Sequence, residues 1–572
     1  MSDDFAAVGR IRARYVCGLV LTLLLGLSVR LVQIQVVDGP SYATEALGQL
    51  LSHRTLEAPR GRILDRNGAP LAVTRPCWTV FVDPSRIRGE DERRRIAREL
   101  AGALGLQAEA VLASLDAAGG SRYVRVARGV TDEAMIARVR ALDLAHAGGV
   151  EVEPLRVYPC GEMAAHVIGV ARETRDACLG VERWRDNDLR GTPGRRRAFR
   201  DSGRNAMVGM FESDRAPIAG RDVRLTIDRR IQSVAEAAAD EIAAEWSPET
   251  ICIVLLDPRC GDVIAMVNRP SFDPNDLRPN EVERWRNRVV CDRYIPGSTL
   301  KPLIAAAALD AGVVRPEDTI ECENGSWTLP GRTLHDVQPH GTLSVRDVVV
   351  KSSNIGMGKI TARLGADATI AGLRRFGIYR PTGSGFPGEP PELALRRESP
   401  RVERISFLPS VAMGQQIIVT PLQLARAFCA IAADGRLPTP RFFLDAPIGP
   451  YERAISPAVA AEMRETLGQA VERGTGRRAA LKRWRVGGKT GTAEIMAGRG
   501  TAASPSRVDG HVSSFIGFAP VEAPRFVVLV MAVRPDHGSR RPWGGTISGP
   551  AAGKILEAAL TIHGVEEAGH GG

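Results

Sequence analysis

The sequence contains one long apolar segment, and it lies near the N-terminus. It begins at Tyr15, directly after three arginines in residues 10–14, and its charge-free part ends at Val29. As a helix that part would span about 22 Å, which is short of the roughly 30 Å core of a bilayer. Continuing the helix to Val37 reaches that length, with Arg30 near the outer end, where its long stem can snorkel. We therefore predict a transmembrane helix over residues 15–37.

The arginines before this helix predict its orientation. Positive residues stay on the cytoplasmic side, so residues 1–14 form a cytoplasmic tail and the chain after the helix lies outside the cytoplasmic membrane. A cleaved signal peptide is the alternative, but no convincing small-x-small cleavage site follows closely. The sequence contains no second long apolar segment, which predicts a single-pass protein.

Length, charge and cysteine spacing limit the classes of protein to which this chain can belong. A chain of 572 residues is expected to form two or more domains. The net charge of +10 comes from arginines spread over the whole chain, without a dense basic block interleaved with aromatic residues. We therefore expect no nucleic acid partner. The nine cysteines show no metal-binding spacing, so no metal is expected, and the sequence leaves open whether any two of them form a disulfide.

Lysine is rare in this chain: only six of the 76 basic residues are lysine. Arginine serves equally well on a solvated surface, but it cannot release its proton and so cannot act as a base. A lysine in such a chain indicates a position where arginine would not suffice. Two of the six, Lys301 and Lys489, lie in motifs that suggest catalysis.

The exported part divides near residue 220. Residues 38–220 are rich in arginine and show no arrangement of a catalytic centre, so a spacer or docking module is expected. Within them, Glu90–Leu104 reads as a helix, Asn67-Gly68 as a hairpin turn and residues 191–209 as an exposed loop.

Residues 221–563 have a different pattern, in which strands near both ends enclose helices. This pattern predicts a mixed α/β core in which strands from distant parts of the chain complete one sheet. The predicted strands are Val223–Ile227, Ile251–Leu256, Val263–Val267, Ser514–Phe518 and Phe526–Val533, and the predicted helices are Arg230–Trp246, Ser298–Ala311 and Pro550–His563.

The first chemical motif is Ser298 followed three positions later by Lys301. Residues three apart lie on one face of a helix, so the amine can reach the hydroxyl. Serine is a weak nucleophile without such a base, and a helix N-terminus offers free N–H groups to an oxyanion. Ser298 is the only serine three residues before a lysine in this chain.

The second motif, Ser352-Ser353-Asn354, begins 54 residues after Ser298. Its second hydroxyl could relay a proton to a leaving amine, and its amide could hold a substrate amide, although a helix cap is the more common role of such a triplet. The third motif, Lys489-Thr490-Gly491-Thr492, begins 137 residues after Ser352 and comes directly after two further glycines. Glycines in a strand let another backbone approach closely, and the lysine and threonine side chains suit a carboxylate.

The three motifs in this order form the signature of penicillin-binding proteins and serine β-lactamases. The chain resembles a class B penicillin-binding protein over nearly its full length. Further segments that are similar to that family are Arg60–Gly68 with Leu71-Ala72, Leu225–Asp228, Pro270–Asn275, Met413–Gln415 and Thr420–Gln423.

The resemblance implies a mixed α/β architecture. Its transpeptidase domain, over residues 221–563, would have the penicillin-binding/serine β-lactamase-like fold, an antiparallel sheet flanked by helices. It would stand behind an elongated α+β pedestal of the dimerisation type (38–220) and the one transmembrane helix, with a C-terminal tail at 564–572.

The resemblance also implies a mechanism on the matching residues. Ser298 would attack the carbonyl between the last two D-alanines of a stem peptide, and Lys301, neutral when it acts, would take the proton. We expect the charge of Lys489 to help lower the pKa of Lys301. Ser352 would pass the proton to the leaving amine, and Asn354 would hold the peptide amide.

On the third motif, Thr490 and Thr492 would hold the terminal carboxylate, with Lys489 and Gly491 completing the substrate site. The backbone N–H groups of Ser298 and Thr492 would form the oxyanion hole. No cofactor is implied. The implied partners are stem peptides, β-lactams as covalent inhibitors, a lipid II polymerase of the SEDS family and other divisome membrane proteins.

The sequence leaves open which cellular process this protein serves and whether its site is catalytic. Asn354 is similar to the cell-division branch of class B, in which septal wall synthesis would be served, but a sporulation- or elongation-specific enzyme is the alternative. A β-lactamase or D,D-carboxypeptidase would use the same motifs with water as acceptor. A non-catalytic β-lactam sensor or divisome scaffold would carry an idle site.

Overall fold

The computed structural model describes residues 2–117, 121, 123–142, 144, 147–172, 178–200, 206–329, 332–392, 408–497, 507–536, 538 and 542–566. The chain forms two compact units. The first contains Met1–Pro59, Pro76–Pro154 and Arg190–Gly220, and the second contains Arg60–Arg75, Leu155–Leu189 and Arg221–Gly572. The chain therefore passes between the units several times, whereas the sequence predicts one boundary at residue 220.

The helices vary from single turns to one long N-terminal helix. They are α1 (Ser2–Val32), α2 (Gly39–Leu50), α3 (Gly89–Leu104), α4 (Ala108–Asp116), α5 (Glu133–Arg140), α6 (Ala165–Ile168), α7 (Gly180–Trp184), α8 (Asp186–Leu189), α9 (Arg229–Trp246), α10 (Arg288–Cys291), α11 (Lys301–Asp310), α12 (Val345–Lys351), α13 (Asn354–Leu364), α14 (Ala366–Arg375), α15 (Leu408–Ala412), α16 (Pro421–Ala432), α17 (Pro457–Glu472) and α18 (Gly544–Ile562).

The strands form several sheets of two to five members. They are β1 (Leu51–Leu56), β2 (Ile63–Leu64), β3 (Pro70–Val82), β4 (Val124–Val130), β5 (Gly148–Val157), β6 (Gly194–Arg200), β7 (Ala206–Arg215), β8 (Val223–Arg224), β9 (Thr250–Leu256), β10 (Val263–Arg269), β11 (Thr319–Glu321), β12 (Ser326–Leu329), β13 (Arg332–His335), β14 (Thr342–Ser344), β15 (Arg436–Leu437), β16 (Glu452–Arg453), β17 (Gly487–Ala497), β18 (Arg507–Ala519) and β19 (Phe526–Val533).

The N-terminal helix of the first unit is the membrane-spanning candidate. Within the described residues, Val8–Val37 is the one helical stretch long and apolar enough to cross a bilayer, and none of it is buried in the protein. The helix begins earlier than the predicted 15–37 segment, at Ser2, and its last turn, Gln33–Val37, is a π-helix.

The first unit also contains a three-stranded antiparallel sheet in the order β1-β6-β7. The prediction of an exposed loop over 191–209 is therefore wrong for 194–200 and 206–209, while 201–205 lies outside the described residues. The segment lacks a hydrophobic alternation, but its backbone pairs with a strand about 140 residues earlier (Leu51↔Phe199). Such pairing follows from backbone hydrogen bonds, which leave no pattern in side-chain types.

Residues 60–75 belong to the second unit because several local contacts hold them there. Strand β2 pairs in parallel with β8 (Ile63↔Val223) and antiparallel with β3 (Ile63↔Ala72), as the predicted Asn67-Gly68 hairpin requires. Asp65 accepts hydrogen bonds from the backbone N–H groups of Asn67 and Ala69 at 2.8 and 2.7 Å, which fixes the turn.

The main sheet of the second unit has five antiparallel strands in the order β10-β9-β19-β18-β17. Alternate side chains face two separate cores. Ile251, Ile253 and Leu255 pack in the core that contains α9 and α18, and Cys252 and Val254 pack in the core that contains α11 and α16. Side chains along a strand alternate between the two faces of the sheet, so a strand between two cores must be apolar on both faces. The continuous run of apolar residues in β9 predicts this arrangement.

Two helix starts differ from prediction. The Ser298 segment begins with a 3₁₀ turn, Gly297–Leu300, and only then continues as α11. The last helix starts at Gly544 and contains Pro550 in its seventh position, although proline usually opens a helix. Its first turn packs so closely on β17 that a Cβ on Gly544 would lie 2.4 Å from the carbonyl oxygen of Gly491.

Candidate active site

Ser298 lies in the 3₁₀ turn that precedes α11 and is half-buried. The turn depends on Gly297, which has φ +58°, and on a bond of 2.7 Å from the Thr299 hydroxyl to the carbonyl of Pro296. Gly414 supports the turn from the other side: the Gly297 N–H donates to its carbonyl at 3.3 Å, and a Cβ at Gly414 would lie 2.0 Å from Gly297 O. This close approach explains why the Met413–Gln415 segment contains glycine.

The amine of Lys301 is enclosed by the second motif. Lys301 is 0% exposed. Its Nζ donates to the backbone carbonyl of Ser352 and to the side-chain Oδ1 of Asn354, both at 2.7 Å, and lies 3.3 Å from Ser352 Oγ. Two carbonyl oxygens thus hold two hydrogens of the amine. A neutral amine has a lone pair beside these two hydrogens, and Ser352 Oγ at 3.3 Å is the third polar atom near it.

The pKa of Lys301 supports that neutral form. Burial disfavours the charged amine and lowers the pKa of Lys301 to about 7, while the carboxylate of Asp336 partly offsets this effect. An ordinary lysine would be almost entirely protonated at neutral pH and could not accept a proton.

The second motif divides its three residues between structure and chemistry. Ser352 ends α12 with φ +62°, a left-handed conformation that is uncommon for serine and turns its carbonyl toward Lys301. Ser353 is the N-cap of α13, and its hydroxyl accepts from the Gly356 N–H at 2.9 Å. The helix cap and the proposed catalytic role therefore coexist, on different residues of one triplet.

Asp336 is a site residue that the sequence did not reveal. Its carboxylate accepts from the Ser353 hydroxyl at 2.6 Å and from the backbone N–H groups of Asn354 and of Ile355, the latter at 3.1 Å. A carboxylate at a helix N-terminus also complements the positive end of the helix dipole. Asp336 comes directly after the short strand β13, and no motif or spacing distinguishes it from the other aspartates.

The third motif lies on β17, at the edge of the five-stranded sheet. Lys489 is 1% exposed, and its Nζ donates to the carbonyl of Thr490 at 3.0 Å. The hydroxyl of Thr490 lies 2.7 Å from that of Thr475, and the Thr492 hydroxyl accepts from the Gly544 N–H at 3.1 Å. The edge position leaves one side of this strand without a partner strand in the sheet.

Gly491 brings β17 against the nucleophile turn. A Cβ there would lie 2.8 Å from the Thr299 side chain and 3.0 Å from the carbonyl of Pro296, so only glycine fits without displacement. Gly297 in turn faces Thr492 and Ala493. The first and third motifs are thus in direct contact, as the first and second are through Lys301.

The charge of Lys301 acts on the pKa of Lys489, whereas the sequence predicts that the charge of Lys489 lowers the pKa of Lys301. Burial is the main cause of the lowered pKa of each lysine. The pKa of Lys489 falls well below its ordinary value, and the nearby charge of Lys301 adds to this shift. The difference arises because Lys301 has Asp336 nearby, while burial and Lys301 both lower the pKa of Lys489.

In the described part of the chain, no group of three or more His, Cys, Asp and Glu side chains has the geometry of a metal site. The turn that carries Ser298 lies against the edge strand β17, and Lys301, at the start of the following helix, bonds to Ser352 and Asn354. A serine, a buried amine, hydroxyls and an amide on an antiparallel sheet with helices on both faces are the features of a serine acyltransferase.

Two models of protein families match this chain and identify its family. Residues 251–557 match the model described as "Penicillin binding protein transpeptidase domain", and residues 55–225 match "Penicillin-binding Protein dimerisation domain". The chain belongs to the class B penicillin-binding proteins, and it carries a serine-type transpeptidase domain.

Curated relatives extend over almost the whole chain. It is 33% identical to the probable peptidoglycan D,D-transpeptidase PbpC of Pseudomonas aeruginosa, with 94% of this chain and 92% of the relative covered. It is 30% identical to the peptidoglycan D,D-transpeptidase FtsI of Escherichia coli (97% and 92%) and 31% identical to stage V sporulation protein D of Bacillus subtilis (94% and 84%). With these relatives, the N-terminal helix indicates a single-pass membrane protein.

Solved structures agree in fold. Penicillin-binding protein 2X from Streptococcus thermophilus superposes with a TM-score of 0.71 at 21% identity, covering 90% of this chain and 81% of that one. Penicillin-binding protein 3 from Mycobacterium tuberculosis, complexed with aztreonam, gives a TM-score of 0.67 at 24% identity, with 90% and 98% covered. The predicted mixed α/β transpeptidase fold is thereby confirmed.

Proposed function

We propose that this chain is a peptidoglycan D,D-transpeptidase that cross-links stem peptides ending in D-Ala-D-Ala through an acyl-enzyme on Ser298. The observation that carries the proposal is the buried amine of Lys301, which bonds to Ser352 and Asn354 while its pKa lies near 7. A neutral amine that follows a serine by three residues at the start of a helix can prime that hydroxyl at neutral pH.

In the first step, Ser298 Oγ attacks the carbonyl carbon between the two D-alanines, and Lys301 takes the hydroxyl proton. The tetrahedral intermediate then collapses, the C–N bond breaks, and the terminal D-alanine leaves as an amine. Ser352, with its hydroxyl 3.3 Å from the Lys301 amine, passes the proton to that leaving nitrogen. In the second step, an amine from the stem peptide of a neighbouring peptidoglycan strand attacks the ester and restores Ser298.

The edge strand β17 would hold the donor peptide. An extended peptide can add to an unpaired strand edge, and glycine at Gly491 lets the nucleophile turn approach. Thr490, Thr492 and Lys489 would bind the terminal carboxylate, and Asn354 the peptide amide. The backbone N–H groups of Ser298 and Thr492 would stabilise the oxyanion, an effect typically worth about 2.7–4 kcal/mol of barrier.

The cell location follows from the N-terminal helix and the arginines before it. These support a cytoplasmic N-terminus and an extracytoplasmic catalytic domain in the inner membrane. A role in septal wall synthesis is supported by the likeness to FtsI of E. coli, and the likeness to stage V sporulation protein D of B. subtilis keeps a sporulation role as the alternative. A SEDS-family lipid II polymerase and other divisome membrane proteins are the proposed partners.

The test uses the full-length protein in detergent with a labelled penicillin. A penicillin should leave one long-lived adduct on Ser298, located by mass spectrometry. Ser298→Ala should carry none, and Ser326→Ala, which changes an exposed serine on β12, should be labelled like the wild type. Label on another residue, or an unlabelled wild type, would refute the assignment of the nucleophile.

The rival functions differ in the fate of the acyl-enzyme. A transpeptidase should transfer the acyl group from a stem-peptide donor to an added D-amino acid, whereas a carboxypeptidase or β-lactamase would only hydrolyse it. If the protein were only a scaffold or sensor, cells whose only copy is the Ser298→Ala variant would still cross-link their cell wall normally. Loss of cross-linking in those cells, with the protein still present at the membrane, would support the catalytic function.

A further inference from the structure

Glu494 lies on the strand of the third motif but takes no part in the proposed mechanism. It is on β17, two positions after Thr492, and its side chain is exposed. Within the part of the chain that the structure describes, its carboxylate forms no hydrogen bond and no ion pair. The residue opposite it on β18 is His511. The carboxylate of Glu494 is therefore available to a ligand that lies along β17.

The side chains of β17 alternate between two surroundings. A Cβ on Gly491 would lie 2.8 Å from the side chain of Thr299, so this position faces the nucleophile turn. Thr492 is on the other face, where its hydroxyl accepts from the Gly544 N–H at 3.1 Å. The pairing of β17 with β18 is regular through this stretch, and strand side chains alternate with period two. Glu494 therefore shares the face of Thr492.

The proposed position of the donor peptide determines which part of it lies beside Glu494. Its terminal carboxylate would bind Thr490 and Thr492, and the carbonyl that Ser298 attacks would face the N–H of Thr492. A donor that begins at Thr490 and passes Thr492 continues toward Glu494, about 7 Å further along the strand. The donor then runs antiparallel to β17, and the residues before its D-Ala-D-Ala pair lie next to Glu494.

Those donor residues carry a positive charge. In the proposed reaction the acceptor is an amine of a stem peptide, and donor and acceptor strands are parts of the same polymer. Each donor stem peptide therefore carries the same amine. The nitrogen atoms of the last two D-alanines are in peptide bonds, so the free amine belongs to a residue before them. An alkyl amine in water is protonated at neutral pH.

We propose that Glu494 is a specificity-determining residue that binds the ammonium group of the donor stem peptide. This inference rests on the proposed transpeptidase function. Opposed residues on antiparallel strands have Cβ atoms about 4.5–5.5 Å apart, and opposite charges at such positions attract. Opposite charges then hold the donor at two points, with its carboxylate at the threonines and Lys489 and its ammonium group at Glu494.

The test is a competition for Ser298 in the full-length protein in detergent. Two donors each slow the labelling of Ser298 by a fluorescent penicillin. One is Nα-acetyl-L-lysyl-D-alanyl-D-alanine, which has a free ε-amine, and the other is the same peptide acetylated on that amine. The readout is the ratio of the two concentrations that halve the labelling rate. This ratio does not depend on the amount of active protein, so it compares variants of different stability.

The wild type should need about two- to fivefold less of the donor with the free amine, as expected for one pair of opposite charges on neighbouring strands. The preference should decrease at high ionic strength, because salt screens exposed charges. Glu494→Gln should lose the preference, and Glu494→Lys should favour the acetylated donor. The difference between these proteins separates the effect of charge from the added bulk of the acetyl group.

Glu557→Gln is the matched control, because it removes an exposed glutamate of α18 about 20 Å along that helix from Gly544. It should keep the wild-type ratio. The inference alone is overturned if penicillin labels Ser298 but Glu494→Gln and Glu557→Gln give the same ratio, or if neither donor slows the labelling. A wild type that penicillin does not label would refute the proposed function, and this inference with it.

Discussion

The amine of Lys301 lies 2.7 Å from the side-chain oxygen of Asn354, although 53 positions separate the two residues in the chain. This bond joins the first and second motifs directly and fixes the orientation of both side chains. The amide nitrogen of Asn354 is also used, because it donates to the carbonyl of His335 at 2.8 Å. A substrate amide that binds Asn354 must therefore replace or share a bond that Asn354 makes within the protein.

The first prediction concerns pH. Because the pKa of Lys301 is about 7 and its neutral amine is the proposed base, the rate of Ser298 acylation should rise about tenfold per pH unit below 7 and level off above it. Stopped-flow acylation by a chromogenic cephalosporin measures the profile. Lys301→Arg should show no detectable acylation, since arginine stays protonated.

Lys359→Arg is the matched control for that substitution. The Lys359 side chain is 21% exposed and pairs with Glu323 at 2.6 Å and with the carbonyl of Glu321 at 2.7 Å, and an arginine can make both contacts. It should keep the wild-type profile. A wild-type rate that does not change between about pH 5 and 9 would contradict the role of Lys301 as base.

The second prediction concerns Asp336. Asp336→Asn replaces an acceptor-only carboxylate and weakens the bonds that hold Ser353 and the start of α13. We expect acylation to slow about 10- to 100-fold, with a loss of about 1–3 kcal/mol of stability. Asp318→Asn, which changes a carboxylate that accepts one backbone N–H in a turn, is the control. Equal acylation rates for the two variants would exclude a positioning role for Asp336.

The third prediction concerns Gly414. Gly414→Ala should lower stability by about 2–4 kcal/mol and slow acylation, since the new Cβ would meet Gly297 O at 2.0 Å. Gly312→Ala has a similar φ of +68° with open space around it, so it measures the conformational cost alone. Thermal unfolding compares the two. If Gly312→Ala destabilised the protein as much, the contact with Gly297 would not be the cause.

The fourth prediction concerns proton uptake by Lys489. Burial keeps the pKa of Lys489 well below its ordinary value. A bound carboxylate should raise that pKa again, so binding of N-acetyl-D-alanine near pH 7 should be accompanied by proton uptake, at most one proton per site. Calorimetry in buffers of different ionisation enthalpy measures the uptake. Wild-type binding without uptake, or the same uptake in Lys489→Met, would contradict this account.

The fifth prediction concerns a buried ion-pair cluster in the second unit. Glu182 is fully buried and pairs with Arg60 at 2.9 Å and with Arg156 at 2.6 Å. Glu182→Gln leaves two guanidinium groups without this carboxylate, and we expect a loss of about 3–5 kcal/mol. Asp222→Asn breaks an exposed pair with Arg62 and should cost about 0–1 kcal/mol. Similar denaturation midpoints for both variants would count against the cluster as a stabilising element.

The class of this protein and most of its regular elements could be predicted from the amino-acid sequence. The order of the three motifs predicted the family, because each residue type is required by the chemistry of a serine acyl transfer. Strands β9 and β19 and helix α9 were also predictable, since continuous apolar runs and helical periodicity follow directly from burial.

How these segments contact one another could not be predicted from the sequence and depends on the folded structure. Asp336 acts on the second motif from 17 positions away, Gly414 supports a turn more than 100 residues earlier, and β6 pairs with β1 without a hydrophobic pattern. The pKa values of Lys301 and Lys489 likewise depend on burial by distant segments. Hydrogen bonds, close backbone contacts and desolvation are set by three-dimensional packing, and side-chain types along the chain do not record them.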